Sequence, residues 1–112
     1  MPFAISISSV DAAADNVYIF GSLTVSGSYT TGGDTLDFTT VGSQVPASLP
    51  PLQVWVGGST GDSYGWIKGA ALNTQKIKIN TASASELAAG AYPARITGDA
   101  SVQFEAVFSK LI

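Results

Sequence analysis

The chain has no histidine and no cysteine, and only five Lys or Arg and eight Asp or Glu stand among its 112 residues. The usual proton shuttle, thiol nucleophile and soft metal ligands are thereby missing together. Serine is abundant, but without a histidine, a G-x-S-x-G elbow or an S-x-x-K pair nothing activates it. Disulfides are excluded, which fits synthesis in a reducing cytoplasm. The positive residues Lys68, Lys76, Lys78, Arg95 and Lys110 are dispersed and the net charge is −3, so no basic stripe exists to neutralise a phosphate backbone. Nucleic acid is not an expected partner. A membrane is not expected either, because no run approaches the ~20 apolar residues of a span. Met1-Pro2-Phe3 lacks the basic start of an export signal.

What is there is a chain 46% apolar, written in Gly, Ser, Thr, Ala and β-branched residues. Its length predicts one domain over residues 1–112, able to bury roughly two thirds of its unfolded surface. Phe3, Ile5 and Ile7 alternate with Ala4, Ser6 and Ser8, the period of a strand with one buried face. Val17, Ile19, Leu23 and Val25 share one parity of a second strand, in which Gly21 marks a bulge or a close backbone approach. Tyr18 and Phe20 occupy its other parity, so the start of this strand is apolar on both faces, as a central strand or a subunit contact would be.

Gly27 to Asp34 reads as a turn region, and Leu36, Phe38 and Thr40 as the next strand. Pro46, Pro50 and Pro51 make the stretch from Val41 to Pro51 an extended crossing connection. Leu52, Val54 and Val56 form a strand, Gly57 to Asp62 a hairpin loop, and Tyr64, Trp66 and Lys68 one parity of its partner. Ile77 and Ile79 oppose Lys76 and Lys78. The capping-box pattern Ser83-Ala84-Ser85-Glu86, followed by Leu87-Ala88-Ala89 and Gly90, predicts one short helix near residues 83–89. Tyr92, Ala94 and Ile96 read as a penultimate strand, and Val102, Phe104, Ala106 and Phe108 give the clearest buried face. The prediction is an all-β fold, an antiparallel β-sandwich or jelly-roll-like barrel of about eight strands.

The carboxylates have plainer uses than chemistry. Asp34 and Asp37 lack the twelve-residue oxygen-ligand loop of a calcium site, and Asp34 is placed to cap a turn. Glu105 stands on the polar parity of its strand, and nothing in the spacing pairs it with Asp99 as glycoside hydrolysis would require. The Gly57–Gly65 stretch lacks the Lys-Ser/Thr ending of a phosphate loop. No catalytic residue, metal or cofactor is assigned, and an enzyme is not expected. The candidate interface residues are the aromatics Tyr18, Phe20, Trp55, Tyr64 and Trp66, since Trp and Tyr are favoured anchors at subunit contacts.

The run Ser26-Gly27-Ser28-Tyr29-Thr30-Thr31-Gly32-Gly33-Asp34-Thr35-Leu36-Asp37-Phe38, the proline-rich connection, Gly90-Ala91-Tyr92-Pro93-Ala94 and the closing Phe104-Glu105-Ala106-Val107-Phe108 resemble small structural proteins of tailed bacteriophages. Within that group the chain is most similar to capsid decoration, or cement, proteins. The likeness covers Val17 to the C-terminus and rests on turns and strand patterns. It implies a virion protein, made in the bacterial host cytoplasm, that sits on the outer surface of the head. A homotrimer and a major capsid protein are the partners it implies. Two alternatives come from other classes. A phage tail or fibre component would share the composition, and a carbohydrate-binding module would present Trp55, Tyr64 and Trp66 as exposed, coplanar rings with Asp62 and Gln53 beside them. The segment Pro2 to Ser9 is either an ordinary strand or one free to add to a neighbouring sheet.

Overall fold

The computed structural model describes residues 2–12, 15–41 and 50–109. Nine strands occur among them: β1 (Phe3–Ala12), β2 (Asn16–Val25), β3 (Ser28–Tyr29), β4 (Asp34–Leu36), β5 (Gln53–Gly57), β6 (Ser63–Ile67), β7 (Gln75–Asn80), β8 (Gly90–Ala91) and β9 (Gln103–Ser109). Seven form one antiparallel sheet in the order β1-β2-β9-β5-β6-β7-β4, and β3 pairs with β8 in a second small sheet. The large sheet curls until its two edge strands, β1 and β4, touch. The fold is therefore the all-β, barrel-like class that the alternation predicts.

Period-two patterning decides which face is inside. On β2 the inward buried residues are Val17, Ile19, Gly21, Leu23 and Val25, and on β9 Phe104, Ala106 and Phe108, while Val107 is buried on the opposite parity of β9. Ile77 and Ile79 of β7 and Val54 of β5 complete the same core. Gly21 has no room for a side chain, because a Cβ there would overlap the Ser6 carbonyl oxygen and lie 2.8 Å from the Phe104 ring. The β1–β2 register slips at this place, between Ile7 and Ser9, which is the bulge that Gly21 signals.

Three elements differ from the sequence expectation. Residues 83–89 form no helix: Ala84 has a φ of 65°, and Leu87 N–H bonds the Ile79 carbonyl instead of a helical one. The one short α-helix among the described residues is α1 (Ala94–Thr97), where alternation predicts a strand. Pro93 precedes it at a φ of −60°, an angle that its ring fixes, and Tyr92 before the helix and Ile96 within it are both buried. The strand through Leu36 ends there, and Phe38–Val41 is a 3-10 turn that packs the Phe38 ring 5.3 Å from that of Phe108. The proline-rich connection lies largely outside the described residues.

Candidate functional site

The outer face of the sheet carries the aromatic residues that the core does not use. In the antiparallel ladder Phe20 on β2 and Trp55 on β5 both pair with Glu105, which stands between them on β9. One rung away Tyr18 and Gln53 flank Val107 in the same manner. Trp55 is 52% exposed and Phe20 38%, whereas Tyr18 is half-buried. Leu52, Val10 and Ile67 are the other large apolar side chains left exposed among the described residues. A groove of about 500 Å³ runs between Phe20 and Trp55, with Glu105, Gln103, Gly57 and Ser101 in its lining.

Tyr64 and Trp66 point the other way. Val56 pairs with Tyr64, and this register gives the rings of β6 the inward parity of Val54 and Val56. Both rings pack against the core. Trp66 Nε1 donates to Gln75 Oε1 at 2.9 Å, and the same oxygen accepts from Gly69 N–H at 3.1 Å. The Gln75 amide donates to the Gly69 and Ala71 carbonyls, so this fully buried polar side chain is saturated and shapes the β6–β7 loop. The structure thus splits the five candidate aromatics, placing Tyr18, Phe20 and Trp55 outside and Tyr64 and Trp66 inside. A coplanar Trp55–Tyr64–Trp66 platform does not form.

Carboxylates hold the loops around this face. Asp62 accepts a two-pronged pair of bonds from Arg95, at 2.9 and 3.1 Å, and the guanidinium beside it holds its carboxyl below the usual range. Asp99 accepts from the Ser59 and Ser101 backbone N–H groups and the Ser59 hydroxyl, which lower it likewise and pin the β5–β6 loop. The Tyr64 hydroxyl ends beneath that loop, beside Gly58, with no hydrogen-bond partner, and burial pushes it up to about 12.

Two further pairs were not legible from spacing. The Tyr29 hydroxyl donates to Glu86 at 2.7 Å, and the same Glu86 oxygen accepts Gly32 N–H at 2.6 Å, so Glu86 closes the β3–β4 turn instead of capping a helix. Asp34 caps that turn by accepting Thr30 N–H at 3.3 Å, as predicted, and also accepts the Tyr92 hydroxyl. Among the described residues no three His, Cys, Asp or Glu side chains gather as metal ligands, and no helix is long and apolar enough to cross a membrane.

No protein-family model, no curated protein and no solved structure matches the chain. Function must be argued from the outer face itself.

Proposed function

We propose that this chain is a non-enzymatic structural subunit that acts through the outer face of its sheet, as a decoration protein on the head of a tailed bacteriophage. The observation that carries the reading is the row of outward aromatics, Tyr18 and Phe20 on β2 and Trp55 on β5, the central strand of the sheet. Large rings held at 52% and 38% exposure by a rigid ladder are costly to leave in water and favourable to cover. The resemblance of its turn and strand motifs to those of cement proteins suggests the setting. Such a protein needs no turnover, only a stiff surface repeated by symmetry.

The carbohydrate-binding alternative loses its support, since two of its three rings face the core. A tail component would use the same face, and the particle that the chain binds separates the two.

The test is solution mass by light scattering on a sizing column, from micromolar concentration downward, followed by co-sedimentation with expanded phage heads and with isolated tails. A persistent trimer of the 11.4 kDa chain that co-sediments with heads is expected. Trp55→Ala should weaken both behaviours without unfolding the subunit. A monomer that binds neither particle would overturn the reading, and binding to tails alone would transfer the role there.

A further inference from the structure

The groove on the outer face is built around a negative charge. Phe20 and Trp55 stand in register with Glu105, one on each side, and all three line the groove. Adjacent strands lie about 4.8 Å apart, so the two rings rise from positions roughly 10 Å apart. A flat group in van der Waals contact with both needs about 7 Å, which a modest inward lean of the two side chains would provide. Beyond Glu105 the floor is Gln103, paired with Gly57, where an added Cβ would meet nothing within 4 Å. Two aromatic rings flank the groove, a carboxylate and an amide stand on the strand between them, and one end is left open by a glycine.

The charge decides between ligands. Among the described residues the one ion pair joins Arg95 to Asp62, and Glu105 faces the groove without a cation. We propose that this groove receives the guanidinium of an arginine side chain from a partner protein. A guanidinium is planar for stacking, positive toward ring faces, and carries paired N–H donors that fit one carboxylate. An ammonium answers the charge but not the flat slot. A neutral sugar answers the rings and Gln103 but leaves the Glu105 charge uncompensated. The chain's own net charge of −3 makes a positive partner segment the electrostatic complement. This inference rests on the assembly reading and names the partner chemistry for its central contact.

The probe is the capped peptide acetyl-Gly-Ser-Arg-Ser-Gly-amide, titrated into ¹⁵N-labelled protein while the two indole N–H signals are followed. Trp55 should shift saturably, and Trp66, bonded to Gln75, should stay still. Replacing the peptide's arginine by neutral, near-isosteric citrulline should weaken binding about tenfold, as should Glu105→Gln. Gly57→Leu should abolish binding by filling the open end, while its spectrum remains that of a folded protein. No shift of Trp55, an equal response to citrulline, or a response to maltose or N-acetylglucosamine that arginine does not elicit would each overturn the site. Assembly separates this failure from that of the broader reading. Trimer mass and head binding lost in Trp55→Ala but unchanged in Glu105→Gln would keep the face and overturn the arginine. Saturable arginine binding in a chain that neither oligomerises nor binds heads would uphold the groove and overturn the virion role.

Discussion

Alanine placed at Gly21 and at Gly57 is the same chemical change made twice, with opposite consequences. Gly21 lies on the inner parity of β2, where a Cβ would overlap the Ser6 carbonyl oxygen, lie 2.8 Å from Phe104 Cε1 and 3.1 Å from the Ile7 Cα. Two of these three atoms belong to the β1 backbone, so rotating a side chain cannot relieve the overlap. Over-packing a tight core costs about 1–3 kcal/mol, and here the strand pair itself must part, which points to about 3 kcal/mol. Ordering alanine instead of glycine returns about 0.4–1 kcal/mol through the unfolded chain. The net loss for Gly21→Ala is therefore roughly 2–3 kcal/mol, or about 10 °C in Tm for a domain of this size. At Gly57 the Cβ meets nothing within 4 Å and only the gain remains, so Gly57→Ala should be stabilised by about 0.4–1 kcal/mol. Urea unfolding followed by far-UV circular dichroism and tryptophan emission measures both, with coincident transitions as the check on two-state behaviour. A Gly21→Ala midpoint within about 0.5 kcal/mol of the parent would show that β1 and β2 are not in this register.

Gln75→Leu should cost about 3 kcal/mol, because it orphans Trp66 Nε1–H, Gly69 N–H and two loop carbonyls at once. In a Trp55→Phe background the emission maximum of Trp66 should also move, and unchanged emission would contradict its bonding to Gln75. Phe104→Ala should cost about 3–5 kcal/mol, and Trp55→Ala less than about 1 kcal/mol, by chemical denaturation. Equal losses would remove Trp55 from the exposed face. Stability should fall in acid: the Tyr29 hydroxyl and Gly32 N–H hold Glu86 below its ordinary 4.5, and Arg95 holds Asp62 below 3.8. Depressed carboxylates support the fold above their ordinary values, and that support is lost as pH drops through the folded ones. In base the sign reverses. Burial pushes Tyr29 and Tyr64 from 10 to about 12, so their support is complete below pH 10 and lost between pH 10 and 12. Melting temperature against pH, with tyrosinate absorbance, checks both limbs, and a Tm flat from pH 10 to 12 would refute the second.

Alternation made most of the sheet legible, because a one-residue error would turn every core residue of a strand to water. Ile77 and Ile79 against Lys76 and Lys78, and Phe104 and Phe108 against Gln103 and Glu105, leave one choice of face. On β6 the pattern does not choose, since Tyr64 and Trp66 oppose Ile67 and both parities are apolar. Pairing of Val56 with Tyr64 settles it, and Ile67 is left 43% exposed. The misplaced helix has a similar origin. Ser83-Ala84-Ser85-Glu86 is a local capping signal, yet Glu86 finds a phenol and a backbone N–H on a turn more than fifty residues earlier. Helix α1 is hidden in the sequence because Tyr92, Ala94 and Ile96 show period two, whereas within the helix only Ile96 is buried and Ala94 is exposed. A short segment supports both periods until its neighbours are known.

The same dependence on pairing explains why the outer site could not be found by looking for aromatic residues close together in the chain. Trp55, Tyr64 and Trp66 are near one another in sequence, and the sheet separates them into two faces. Phe20 and Trp55 are far apart in sequence, and β9, the last strand, brings them together by inserting between β2 and β5. One strand thus supplies the inward row Phe104, Ala106 and Phe108 and the outward Glu105, so the core and the groove are fixed by a single set of ladder bonds. Side chains on such a ladder are held more closely than on a loop, which is what recognition of a flat, charged group requires. It also explains how a chain without histidine or cysteine can carry a specific site. Two rings and a carboxylate at set positions present shape and charge to the partner proposed for them, and the folding of β9 between its neighbours is what sets them.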